Sequence, residues 1–258
     1  DNTSGADNVA LGYLAMRDNT TGGRNVALGN SALKLYNVTD DGNDYNVAVG
    51  YGALSAATTA AQNVVVGALA ADALTTAHST TAIGYQALSA NTTASANTAV
   101  GRDALQDNTT GGSNVAVGYR ALRDNTTASN NTAVGASALD ANTTGGNNAA
   151  FGYGALDANT TGAQNTGLGV NALGSNTTNS NGTAVGFRAL RDNTADNNTA
   201  VGNDAMLSNT TGAQNTAMGG AALDANTTAS NNTAVGYAAL TANTTGSQNT
   251  ATGRNSLL

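Results

Sequence analysis

The stretch Asn232–Gln248 reads NTAVGYAALTANTTGSQ, and at Asn249 the chain begins the same phrase again, NTATGRNSLL. Take the glycine that closes NTAVG as position 0. It recurs fifteen times, from Gly12, Gly29 and Gly50 through Gly101, Gly118 and Gly135 to Gly253. The step is 17 residues everywhere except Gly29 to Gly50, where it is 21, and Gly186 to Gly202, where it is 16. Self-similarity at a short fixed period means that each repeat is one structural unit stacked on its neighbours. The chain therefore reads as a single continuous array over residues 1–258. Because it starts in the tail of one repeat and stops in the head of another, with no distinct cap, it also reads as an excerpt of a longer fibre protein.

Composition narrows the class. Pro, Cys, Trp and Glu are absent, and Lys34 is the single lysine. Without Glu and Lys the residues that usually fill exposed helix faces are missing, whereas Thr, Val, Asn and Gly suit strands joined by turns. The lack of Cys excludes disulfides and thiolate metal sites. A net charge of −7 with nine basic residues speaks against nucleic-acid binding. No apolar run approaches the ~20 residues of a membrane-spanning helix.

Within one repeat, position −1 is large and apolar in fourteen of fifteen cases, position −2 is Ala in thirteen, and position −3 is mostly Val early and Thr later. This is a five-residue strand of period two. Its −3/−1 face is expected to line a thin core opposite the Leu or Met found at +4. The polar NTTG or NTTA at +7 to +10 is a turn. The stretch from Gly to that turn is too short for a helix and reads as a second strand. The expected fold is all-β: a parallel β-solenoid, or β-roll, of about 15 coils of 17 residues.

Other columns obey the period. Asn at −4, including Asn97, Asn114, Asn131, Asn148 and Asn165, is expected to form a ladder, each amide bonding the one above. Asn at +7 would form a second. Nineteen of the 25 charged residues fall at +1, +2, +5 or +6, and none at −4 to 0. The charge-free small residues Ala99, Gly101, Ala116, Gly118, Ala133 and Gly135 are accordingly assigned to contact between chains. At +1, aromatic residues alternate with others: Tyr51, Ala68, Tyr85, Arg102, Tyr119. The alternation suggests that each ring lies along the axis over its neighbour's vacant slot.

The phrase N-T/V-A-V-G-Y-x-A-L resembles the N-S-V-A-I-G head repeats of trimeric autotransporter adhesins. It is more similar still to the NTAVGYxALxxNTTG repeats of phage tail fibres and bacterial surface proteins. The resemblance spans Asn8 to Leu258. It implies a left-handed roll, a homotrimer or head-to-tail fibre, and an extracellular, cell-surface or virion location. The 17-residue period is longer than that of the adhesin heads.

Isolated residues offer little chemistry. His78 is the only histidine, and no nucleophile–base pair or metal cluster can be assembled around it. An enzyme is not expected, and neither is a cofactor. Asp40, Asp41 and Asp44 in the long repeat are a candidate Ca²⁺ site, weighed against a solvated, enlarged turn. The NTT triplets at Asn91, Asn108, Asn125, Asn142 and Asn159 match the N-glycosylation acceptor, against the reading that they are simply turns. The expected function is the non-catalytic shaft or head of an attachment fibre that carries itself, and a surface receptor, as partners. The alternatives are a self-assembling surface filament or sheath and, third, an ice-binding solenoid. In the third, the adjacent threonines of NTT would point to opposite sides.

Overall fold

The structure, a computed structural model, describes residues 2–38 and 44–257. Each repeat forms one coil, numbered here 1 to 15 by its position-0 glycine, and each coil supplies one three-residue strand. These run from β1 (Val9–Leu11) through β2 (Val26–Leu28), β3 (Val47–Val49) and β4 (Val64–Val66) to β15 (Thr250–Thr252). All fifteen lie in one parallel sheet in chain order, the signature of a β-solenoid with about 17 residues per turn. Within each unit the register is kept across the irregular coils. Val26 pairs with Val47 across the long coil, and Thr183 of β11 (Thr183–Val185) pairs with Thr199 of β12 (Thr199–Val201) across the short one. The extra or missing residues are absorbed away from the sheet. The chain comprises two compact units, Asp1–Asn130 and Asn131–Leu258, each built of these coils.

The strand is shorter than the sequence suggests, and the second strand is absent. From position 0 to +7 the backbone makes two successive tight turns. In coil 6, Ala104 N–H bonds Gly101 O (3.3 Å) and Asn108 N–H bonds Leu105 O (3.3 Å). Residues at −5, +2 and +4 are left-handed, as in Ala96, Asp103 and Leu105 with φ of 60°, 58° and 51°. Each sign change of φ turns the next peptide to the other side. Asp103 N–H therefore bonds back to Tyr85 O (3.0 Å), while Leu105 N–H bonds forward to Ala121 O (3.0 Å). The coils are thus joined by hydrogen bonds all round without a second extended segment, which is why a period-two reading fails there. A left-handed Leu costs about 1–2 kcal/mol. Burying its side chain returns about 1.5–3 kcal/mol, which offsets that cost where the Leu is fully buried, as Leu105 is.

The core is inverted relative to expectation. The buried strand residue is Ala at −2, as in Ala99, Ala116 and Ala133, each with no exposed surface. It meets Ala at +3 and Leu at +4, such as Ala104 and Leu105, also fully buried. The −3 and −1 side chains point outward. The reason is space: a Cβ built at Gly167, a −2 position, would already lie 3.5 Å from Cγ and Cδ1 of Leu156. A lumen filled by one Leu per coil leaves room opposite for a methyl group, and the branched residues must face out. At position 0 the glycine is required by stacking. With φ of 136° at Gly135, an added Cβ would come within 2.6 Å of the carbonyl oxygen of Gly152 in the next coil.

Candidate interaction surfaces

The assignment of Ala99, Ala116 and Ala133 to contact between chains is overturned. The alanines are the inner wall of their own coil. Gly101 and Gly135 press against the glycine carbonyl of the next coil, and Gly118 shares their backbone, with φ of 140°. Small uncharged residues marked close packing correctly, but for the alanines that packing is within the chain.

What the chain presents instead is the outer face of the sheet. Ile83, Phe151, Leu168 and Met218 at −1 are exposed, as are Val9 and Val64 at −3. From β11 onward, Thr occupies every −3 position, beside Val185, Val201, Met218 and Val235 at −1. Every strand but β15, which carries Thr250 and Thr252, thus adds an apolar or Thr/apolar pair to the row in its unit.

Beside it runs the +1 column. In the first unit Tyr13, Tyr51, Tyr85 and Tyr119 project at every second coil, all exposed. The slots between them hold Asn30, Ala68 and Arg102. Arg102 lies between two rings, its guanidinium carbon 5.8 Å from the Tyr85 centroid and 5.9 Å from that of Tyr119. In the second unit a Cβ at Gly220 would touch the ring of Tyr237 at 3.5 Å, so that ring leans onto the coil before it.

The asparagine ladders form, with a division of labour. At −4 the side-chain oxygen accepts the backbone N–H of the next Asn: Asn114 onto Asn97, Asn148 onto Asn131 and Asn165 onto Asn148, each 2.9 Å. The amide nitrogen is donated 14 residues onward, from Asn97 to Gly111 O at 2.9 Å and from Asn148 to Gly162 O at 2.8 Å. The amide-to-amide bonding expected at −4 is present there from Asn46 to Asn25 and from Asn63 to Asn46, each at 3.1 Å, and it also runs along +7. Asn125 donates to Asn108 and Asn159 to Asn142, both at 2.8 Å.

That ladder overturns the glycosylation reading. Asn91, Asn108, Asn125, Asn142 and Asn159 are all fully buried, and the amide nitrogen a glycan would take donates to the +10 carbonyl of its own coil. In the folded chain the triplets are turns. Thr at +8 is also spent: Thr109 donates its hydroxyl to Thr126 O and Thr143 to Thr160 O, each 3.0 Å. Of the calcium candidates, Asp40 and Asp41 lie outside the described residues. Asp44 is buried and accepts from the Gly23 N–H at 2.9 Å and from the Asn25 amide at 3.4 Å. His78 is likewise engaged locally, its Nδ1 accepting Ala61 N–H at 3.0 Å.

The charged columns pair among themselves. Arg188 holds Asp204 on the next coil by two bonds of 2.8 and 2.9 Å, and Arg191 holds Asp192. The Arg188 hydrogen bonds set the Asp204 carboxyl below its ordinary pKa. Burial, followed by the nearby Asp204 charge, raises that of Asp224. Among the described residues no three of His, Cys, Asp and Glu are grouped so as to hold a metal ion. No helix among them is long and apolar enough to cross a membrane. Comparison with family models, curated proteins and solved structures returned no match.

Proposed function

We propose that this chain is a non-catalytic segment of an extracellular attachment fibre, on a cell surface or virion, and that its copies associate through the outer −3/−1 face of the sheet. The observation that carries the reading is that face: large apolar side chains, Ile83, Leu168, Met218 and Val235 among them, stand exposed in a row while alanine lines the core. A contiguous apolar row on a soluble protein marks an interaction surface. A repeating row suits a repeating partner, and a second or third copy of the same chain supplies one in register. The repetition then serves length and rigidity, and the trimer follows the resemblance to adhesin and tail-fibre repeats.

Sedimentation of the chain at micromolar concentration tests this. Wild type should run as a discrete oligomer, and Ile83→Asp with Val100→Asp should reduce it to a smaller species. A wild type that stays monomeric at every concentration refutes the reading. Open-ended polymerisation would favour the filament or sheath alternative. The Thr/apolar pairs from β11 onward supply a second reading, ice binding, on a face other than the NTT turns; a thermal hysteresis measurement separates it from self-association.

A further inference from the structure

We infer that the +1 aromatic column of the first unit is a binding platform for an extended, uncharged β-1,4-linked glycan. This names a receptor class for the attachment reading and draws its biological sense from it, but the site itself is complete on one copy of the chain. Tyr13, Tyr51, Tyr85 and Tyr119 are 73%, 60%, 46% and 47% exposed, far more than a packing role needs. None fills the core, which Ala and Leu already close. They recur at every second coil, so at ~4.8 Å per strand the rings advance in steps of ~9.6 Å.

That step carries the inference. In an extended β-1,4-linked chain successive sugars are turned over, so the same C–H-rich pyranose face returns only at every second sugar. Two sugars span about the same length as two coils. A straight glycan laid along the column would therefore set one like-facing sugar on each tyrosine, with the intervening sugar over Asn30, Ala68 or Arg102. A tyrosine ring offers an apolar face with a polar tip, which suits a ligand that is apolar above and hydroxylated at its rim. The slot residues add donors at the rim: the Asn30 amide, whose oxygen accepts from Ser31 Oγ at 2.8 Å, and the Arg102 guanidinium. Arg102 is already paired with Asp103 at 3.1 Å, so the column carries little net charge and favours a neutral glycan over an acidic one. A ring in every coil would also meet the intervening, turned-over sugar and crowd a slot that here holds Asn30, Ala68 or Arg102.

The test is a pull-down of the full chain on insoluble cellulose and on chitin, with amylose resin as the α-linked, helical control. Sedimentation is run in parallel. Wild type should bind cellulose or chitin and not amylose. Tyr51→Ser with Tyr85→Ser should lower the affinity at least tenfold while leaving the oligomer unchanged. Ala68→Tyr adds a ring out of step and should weaken binding, although it enlarges the aromatic surface. Failure of wild type to bind either β-1,4 glycan, equal binding to amylose, or undiminished binding by the double variant overturns the inference. A monomeric wild type that still binds glycan would refute the assembly reading alone.

Discussion

Coils 3 and 4 both differ from coils 5 to 7 at position +7, and the difference separates what the fold requires from what it merely uses. In coils 5, 6 and 7 position +7 is Asn91, Asn108 and Asn125, each fully buried and each donating to the carbonyl at +10 of its own coil. In coils 3 and 4 the same position is Ala57 and Leu74, equally buried. The +10 carbonyls there, Ala60 O and Ala77 O, are not abandoned: Asn46 and Asn63 at −4 donate to them at 2.8 and 3.0 Å. In coil 6 the corresponding Gly111 O receives two amides, Asn97 and Asn108, each at 2.9 Å. One amide satisfies the carbonyl, and the second makes the +7 ladder optional. Coil 4 goes further. It carries Val65 at −2, Ala71 at +4 and Leu74 at +7, all fully buried, where other coils carry Ala, Leu and Asn. Removal of the Leu at +4 is compensated by bulk on either side, a repacking that conserves volume.

The largest effect should come from breaking that compensation. Leu105→Ala in coil 6 leaves a cavity and should cost about 2–5 kcal/mol. Adding Ala99→Val and Asn108→Leu grafts the coil 4 arrangement and should recover more than half of the loss. Denaturant titration of the single and triple variants measures both. A triple variant no better than the single one would mean that the columns do not share one packing volume.

A smaller effect should separate the two asparagine columns within one coil. Asn148→Ala strands the N–H of Asn165, buried in the backbone stack, and removes one of the two donors to Gly162 O. It should cost about 2–3 kcal/mol, the range for a buried group left unsatisfied. Asn159→Ala removes an acceptor from the Asn176 amide, which keeps Asn179 O at 3.0 Å, and should cost about 1 kcal/mol. Equal losses in the two variants would show that the backbone link at −4 has no special weight. Gly182, at −4, provides no side-chain acceptor, and it opens the one coil that is a residue short.

The periodic columns themselves were legible from sequence: a strand ending at each position-0 glycine, parallel stacking, two Asn rows and charges confined to a few columns. Two things were not. Which strand face is buried cannot be read from hydrophobicity alone, because Val and Leu at −3/−1 are more apolar than Ala at −2, yet the lumen admits only the smaller. Deciding it requires knowing that Leu at +4 already fills the coil. The second strand was misread because Ala at +3 and Leu at +4 are both buried, a pattern that left-handed residues at +2 and +4 create and that no propensity scale anticipates for Leu. The glycosylation reading failed for a related reason. A motif of turn residues states nothing about which way its Asn points, and here it points into the ladder.

The two-coil rhythm at +1 offers a third, weaker test. Ala68 sits between Tyr51 and Tyr85, and Ala68→Tyr puts a ring where the column has room for a methyl group. Overpacking at a half-exposed site should cost about 1 kcal/mol, the low end for this kind of change. Tyr51→Ala should cost less, since the ring is largely in water and solenoid contacts reach only the nearest coils. Thermal melts of the two variants decide the order, and identical midpoints to wild type would place the rings wholly outside the packing.

The smallest effect compares two carboxylates of the second unit that are shifted in opposite directions. Asp204 is held below its ordinary pKa by Arg188, so the folded state binds its proton less tightly than the unfolded chain does. Its contribution is therefore present above the unfolded value and fades as pH falls through the lower folded one. Asp224 is raised, by burial first and by the Asp204 charge second. Ionising it opposes folding, and that penalty is full above the folded value and disappears below the unfolded one. At neutral pH, then, Asp204→Asn should lower the melting temperature and Asp224→Asn should raise it. On acidification the benefit of Asp224→Asn should vanish first, because its carboxyl takes up its proton at higher pH. The loss from Asp204→Asn should persist to lower pH before it too closes. Melts of both variants across the acid range check the order, and a reversed sequence of convergence would show that the Arg188 bonds do not govern Asp204 in solution.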